Sequence, residues 1–201
     1  MKKLESSLLN MVLVLTGVAV LMGMVLAYMN HLTTDPIAQQ KEKALNEGIK
    51  AVMASSDIEV TATDTLRQTD AKGKEQTYII YQNKKGAAVE STTLGFGGPL
   101  KVLVGFDAQG TILGYTILEH QETPGLGAKA DQWFQQGQNG CIVGMNPKDS
   151  LFVKKDGGQV DAITASTITS RAFLLAVNNA YKAYKNTPID GATGASKQEK
   201  K

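Results

Sequence analysis

The sequence predicts an α+β fold: one N-terminal transmembrane helix, then a mostly antiparallel sheet domain flanked by helices. Three observations predict it. Leu8 to Tyr28 carries no charged residue, and about 20 apolar residues cross a bilayer as a helix. From Ile58 to Glu119 the pattern changes to short stretches rich in β-branched and aromatic residues, arranged in series between turn residues. From Arg171 to Tyr184 apolar residues recur at Phe173, Val177, Ala180, Tyr181 and Tyr184, which is the spacing of one helical face. Strands in series with helices on either side read as α+β.

At the amino end Lys2 and Lys3 precede the apolar run. A secretory signal has a shorter apolar core, about 7–15 residues, and a small-residue cleavage site. Met29-Asn30-His31 makes a poor one. Residues 1–29 are therefore expected to be a cytoplasmic N-terminus and an uncleaved anchor. The two lysines keep that end in the cytoplasm by the positive-inside rule, against which Lys41 and Lys43 count a little. The soluble part then lies outside the cytoplasmic membrane.

Thr34-Asp35-Pro36 reads as a helix start, with Asp35 as N-cap and Pro36 at the first helical position. Helical spacing through Ile37, Gln40, Ala44, Leu45, Ile49 and Val52 makes residues 30–56 a connecting helix. Strands are expected at Glu59–Leu66, Gln76–Gln82, Ala87–Thr93, Leu100–Asp107 and Thr111–Glu119. Asp70-Ala71-Lys72-Gly73 and Asn83-Lys84-Lys85-Gly86 supply turns, and Asp107-Ala108-Gln109-Gly110 reads as a hairpin loop between antiparallel strands. Trp133 and Phe134 lie in a short helical stretch and are read as a face docking on the core. The soluble domain is taken as 57–185. Residues 186–201, rich in Gly, Ala, Thr and Lys, are expected to be a disordered tail.

Composition narrows the chemistry. A net charge of +2 over 201 residues implies no nucleic-acid surface. Cys141 is the only cysteine, so an intrachain disulfide, a Cys-ligated iron–sulfur cluster and a C-x-x-C-H haem site are excluded. His31 and His120 are too far apart in sequence to give metal-ligand spacing. If the protein moves electrons, an organic cofactor must carry them.

Two stretches carry candidate sites. In Val160–Phe173, five hydroxyl side chains (Thr164, Ser166, Thr167, Thr169, Ser170) crowd before the helical run. A helix N-terminus of this kind holds an anion such as a phosphate on its unpaired N–H groups; a capped helix with spare hydroxyls is the plainer alternative. Arg171 would either offset phosphate charge or be a solvated residue at the helix start. The second stretch is Glu119-His120-Gln121-Glu122-Thr123-Pro124-Gly125-Leu126-Gly127. Pro-Gly favours a turn with positive φ at Gly125, and such a loop can lie flat against a planar ring. His120 is either a proton donor or a residue bracing the loop. Gly95-Phe96-Gly97-Gly98-Pro99 adds glycines needed for backbone bends or for the close approach of a ligand.

The run Asp161-Ala162-Ile163-Thr164-Ala165-Ser166-Thr167 resembles the flavinylation motif of the FMN-binding domain found in the G subunit of Rnf complexes. The same domain occurs in the C subunit of sodium-pumping NADH:quinone reductases. Glu-Thr-Pro-Gly-Leu-Gly at 122–127 and Gly-Phe-Gly-Gly-Pro at 95–99 resemble the same family. The resemblance implies FMN bound covalently by a phosphoester to Thr167, with Asp161, Thr164 and Ser166 completing the motif. It sets Glu122, Thr123, Gly125, Leu126 and Gly127 beside the isoalloxazine ring. Ala165 stands where the family has Gly, and Ser166, where it has Ala, offers a rival hydroxyl. A threonine hydroxyl is a weak nucleophile without a base, and the resemblance implies a magnesium-dependent flavin transferase that splits FAD. It further implies an electron-transfer subunit of a redox-driven ion-translocating complex of the ferredoxin/NAD type, held in the bacterial inner membrane beside the other Rnf subunits. No catalytic residue and no metal ligand is assigned. The alternative from another class is a membrane-anchored module binding a flavin or other ligand noncovalently, with no redox role; a flavin reductase would need an acid–base residue, for which only His120 and Glu122 are eligible.

Overall fold

The computed structural model describes residues 8–53, 60–69, 75–189 and 193–195. Lys2 and Lys3, the start of the first expected strand and the expected turn at 70–73 lie outside them. The chain divides into two compact units, Met1–Lys43 and Ala44–Lys201.

The described residues of the first unit are helical. Helix α1 (Leu8–Val52) runs from it into the second unit and contains a stretch long and apolar enough to cross a membrane. Asp35 is not an N-cap, because the helix passes through Pro36 unbroken. Proline removes one donor from the helical ladder. Just before it, the Thr33 hydroxyl donates to the Met29 carbonyl at 2.9 Å and the Thr34 hydroxyl to the Asn30 carbonyl at 2.6 Å. The following Ala-, Gln-, Glu-, Lys- and Leu-rich residues favour helix strongly enough to continue it.

The second unit is built on a five-stranded antiparallel meander: β1 (Ala62–Thr69), β2 (Glu75–Asn83), β3 (Gly86–Leu94), β4 (Pro99–Asp107) and β5 (Ile112–His120), neighbours in space in that order. The β4–β5 hairpin closes as expected. Gly110 N–H donates to the Asp107 carbonyl at 3.0 Å, and Thr111 N–H to Asp107 Oδ1 at 2.7 Å.

Alternation sends the two faces of the sheet to different partners. Tyr78, Ile80, Ala87, Val89, Val102, Val104 and Phe106 face helix α3 (Thr167–Tyr184) and form the main core with its Ala172, Phe173, Ala176, Val177 and Ala180. Phe134, at the end of the short helix α2 (Ala130–Trp133), stacks on Phe173 at 4.2 Å, and Tyr115 meets the same ring edge-on at 4.7 Å. Ala88 and Leu103 on the other face meet Ile49, Val52 and Met53 from the end of α1. Gly105 and Gly114 pair across β4 and β5. A Cβ at Gly105 would strike the Val52 carbonyl, so bare backbone there lets the last turn of α1 lie on the sheet.

Part of the expected tail is held in place. Ile189 is buried in the main core, and Gly194 N–H donates to the Leu94 carbonyl at 3.2 Å. An apolar side chain and a glycine small enough to pack supply the hold that a count of Gly, Ala and Lys misses. Residues 190–192 and 196–201 of that expected tail lie outside the described residues.

Candidate functional site

Three backbone segments meet at one end of the sheet: the β3–β4 turn carrying Phe96, the loop after β5, and the first turn of α3. One carboxylate joins all three. Glu122 is buried, with Oε1 accepting the Phe96 N–H at 2.8 Å and Oε2 accepting the Thr169 hydroxyl at 2.8 Å. Its own N–H donates to His120 Nδ1 at 3.2 Å, and His120 Nε2 lies 3.7 Å from Asp131 Oδ2. His120 therefore braces the loop. A Cβ on Gly127 would come within 2.6 Å of Glu122 Oε2 and 2.8 Å of the Thr169 hydroxyl, so glycine is what lets the loop close over this carboxylate.

The loop turns as its Pro-Gly pair requires. Gly125 has φ of 76°, and Leu126 N–H donates to the Thr123 carbonyl at 3.2 Å, closing a turn with the left-handed residue glycine favours. Opposite, Ser166 N–H donates to the Ile163 carbonyl at 3.0 Å. The Ser170 hydroxyl donates to the Ser166 carbonyl and accepts the Ile163 N–H, both at 2.9 Å. This clamp forces Ala165 to φ of 60°, the left-handed region that an L residue enters at a cost of about 1–2 kcal/mol. The chain thus reverses at Ala165, two residues before α3 begins at Thr167.

Between these segments lies a cleft of about 360 Å³ lined by Phe96, Glu122, Thr123, Leu126, Gly127 and Ala165 through Thr169. Phe96 is 68% exposed and Leu126 41%, so two apolar side chains stand free at the cleft. Ser166 is the N-cap of α3, yet its side chain makes no capping hydrogen bond. The first amides of an α-helix have no acceptor within the helix, and the residues of that first turn here, Thr167 to Thr169, line the cleft.

Of the residues singled out in the sequence, Glu122, Thr123, Leu126, Gly127, Ser166 and Thr167 come together in the lining. Gly125 shapes the turn without lining the cleft. Thr164 is exposed and outside the lining. Asp161 also stands outside: its carboxylate pairs with Lys154 at 2.7 Å, and its carbonyl accepts the Trp133 indole N–H at 2.9 Å. Trp133 thereby docks on the core, as expected.

Arg171 departs from both readings the sequence left open. Its Nε and NH2 groups each donate to a carboxylate oxygen of Asp156 at 2.7 Å, and the Asp156 side chain is only 1% exposed. That pairing raises the guanidinium pKa above its usual value, chiefly through the hydrogen bonds to Asp156. Arg171 is therefore the partner of a buried carboxylate and lies outside the cleft lining. The sequence reading missed Ile168 as a lining residue and named Phe96 and Thr169 only as members of their stretches, although a phenylalanine flanked by glycines was a usable signal. Among the described residues no cluster of His, Cys, Asp and Glu could hold a metal ion.

Comparison with known proteins bears on what the cleft holds. The model of the FMN-binding domain matches residues 95–182, a span that contains every lining residue. The G subunit of the ion-translocating oxidoreductase complex of Vibrio cholerae is 37% identical over 161 residues, covering 74% of this chain and 77% of that protein. Its namesake in Shewanella piezotolerans is 33% identical over 187 residues, covering 87% and 88%. In Shewanella baltica the same protein is 36% identical over 173 residues, covering 80% and 81%.

Proposed function

Because the chain belongs to the family of G subunits of ion-translocating oxidoreductase complexes, we propose that it is the electron-transfer subunit of such a complex and carries FMN through a phosphoester on Thr167. The observation that carries the reading is the position of Thr167, the first residue of α3, in the lining of a cleft with apolar side chains at its edge. The residues present fit the group. Phe96 and Leu126 offer apolar surface to a planar ring, and the amides of the first turn of α3 suit a phosphate. Thr123 and the Glu122 loop would border the ring, and bound FMN would supply reversible electron transfer there.

Thr167 is not equipped to modify itself. Among the described residues no carboxylate or imidazole is hydrogen-bonded to its hydroxyl, and both oxygens of Glu122, the one carboxylate in the lining, are already engaged. An external flavin transferase would supply the base and Mg²⁺. The Thr167 oxygen would bond to the FMN-side phosphorus of FAD, AMP would leave, and the hydroxyl proton would pass to that enzyme's base. Ser166, buried at the N-cap, is worse placed as acceptor than Thr167. Asp161 and Thr164, outside the cleft and solvent-facing, are where such an enzyme would read the motif.

In this reading residues 1–29 anchor the chain in the bacterial inner membrane, residues 30–56 connect it, and the domain at 57–185 works on the extracytoplasmic side. There it would pass electrons among the other subunits of an Rnf-type complex linking ferredoxin and NAD. The test is a denaturing gel of the native-source protein viewed under ultraviolet light. A fluorescent band that survives denaturation and vanishes in Thr167→Ala but persists in Ser166→Ala is expected. Loss only in Ser166→Ala would move the acceptor by one residue. No band from cells that contain the transferase would refute covalent attachment and leave the noncovalent binder.

A further inference from the structure

The described residues Thr193–Ala195 reach both walls of the cleft through Gly194. Gly194 is buried, and its N–H donates to the carbonyl of Leu94, the last residue of β3, at 3.2 Å. Leu94 stands two residues before Phe96. On its other side, a Cβ at Gly194 would lie 2.5 Å from the Ile168 carbonyl oxygen and 2.7 Å from Ala172 Cβ. The backbone of the segment therefore rests directly on the first turns of α3, an approach only glycine permits. At the same junction the buried Thr93 hydroxyl donates to the Ala172 carbonyl at 2.9 Å. The end of β3, the start of α3 and Gly194 thus form one packed knot behind Phe96 and Ile168, while Glu122 ties the same two walls separately.

We propose that the backbone at Gly194 is a strap that sets the Phe96 wall against the N-terminus of α3, and so positions the cleft to receive and seat its flavin. The ligand named rests on the function proposed above, but the strap itself does not. Removing it leaves the Leu94 carbonyl without its partner and the start of α3 without the backbone that lies on it. The hydrogen bond from Phe96 N–H to Glu122, two residues further along the turn, then opens more often.

The test uses the full chain in detergent, unmodified, in four forms: wild type, Gly194→Ala, a chain ended after Ile189, and Ala195→Ser as a control at an exposed position. Amide hydrogen exchange at Phe96 is expected to quicken about tenfold in Gly194→Ala and in the shortened chain, the scale of one lost hydrogen bond. It should stay unchanged in Ala195→Ser, as should exchange in β2 and β4 throughout. With the transferase present, the fraction of chain gaining covalent flavin at a fixed early time should fall in the same two variants. Phe96 exchange within about twofold of wild type in both would overturn the strap. So would an equal rise throughout β2 and β4, which would signal loss of the fold instead of a loosened cleft. A wild-type chain that takes up no flavin would count against the proposed function, while the exchange result still decides the strap.

Discussion

Replacing Ala165 by glycine should stabilise this protein, against the usual rule for such a change. In most positions Ala→Gly loosens the unfolded chain and costs about 0.4–1 kcal/mol. Ala165 differs because its φ is 60°, where a Cβ crowds the following carbonyl at a cost of about 1–2 kcal/mol. The position is exposed, so the methyl buries little apolar surface that its removal would forfeit. The two terms leave a net gain of roughly 0.5–1 kcal/mol, or about 1–4 °C in melting temperature for a unit of this size. Thermal unfolding of the full chain, followed by Trp133 fluorescence, would measure it. Ala108→Gly is the control: this residue is also exposed and lies in a turn, but its φ is not positive, and it should lose about 0.4–1 kcal/mol. Opposite signs are the prediction. If both variants melt lower, the clamp of Ile163, Ser166 and Ser170 does not impose the left-handed conformation on residue 165, and the argument fails.

Two further outcomes follow from buried groups. Glu122→Ala should cost about 2–4 kcal/mol in denaturant unfolding, because the Phe96 N–H and the Thr169 hydroxyl lose their acceptor together. Glu122→Gln should cost about 1 kcal/mol, since its carbonyl can keep the Phe96 N–H while the Thr169 hydroxyl reverses to accept from the amide; equal losses would mean that charge, not hydrogen-bond geometry, holds the cleft. The phenol of Tyr115 is pushed well above its ordinary pKa of 10.0, chiefly by burial. Below that pH both folded and unfolded chains keep the proton, whereas above it only the unfolded chain releases it, so stability falls as pH rises past 10. The stability difference between wild type and Tyr115→Phe should therefore shrink above pH 10, and a constant difference from pH 8 to 11 would contradict it.

Much of the fold could be read from local chemistry. Each observed strand lies within a few residues of its expected range because β-branched runs and turn residues are local signals, as at Asp107-Ala108-Gln109-Gly110. Asp35 misled because capping chemistry is also local, while the continuation of α1 depends on what flanks Pro36 on both sides. Arg171 misled for the opposite reason: its partner, Asp156, lies in a separate turn, and no spacing rule links the two. The fixing of Ile189 and Gly194 was invisible for the same cause, since a glycine that packs on a helix cannot be told from one that loosens a linker. Thr167, Ser166 and the loop at 122–127 were legible through motif resemblance, but nothing in either motif states that Glu122 accepts a hydrogen bond from Thr169.

On the proposed reading, that hydrogen bond would let the site keep its shape with Ala165 and Ser166 in place of the residues its motif expects. The expected pattern has Gly and Ala where this chain has Ala165 and Ser166. Strain from the first falls on an exposed reversal outside the helix, and the second points a buried hydroxyl from the N-cap without making a capping bond. Neither side chain takes part in the contacts that fix the start of α3: Thr169 to Glu122, Ser170 to the backbone carbonyl of Ser166, and Thr93 to the Ala172 carbonyl. The start of α3 is thus held through its own next turns and the backbone of Ile163 and Ser166, and not by the side chains of Ala165 and Ser166. Restoring glycine at 165 should accordingly change stability more than it changes the yield of covalent flavin. A Glu122→Ala chain still folded at the assay temperature should show the reverse. A gel comparison of the two variants, normalised to folded protein by Trp133 fluorescence, separates these outcomes. Equal flavin yield from both would mean that the leading loop, rather than the Glu122–Thr169 bond, positions the acceptor.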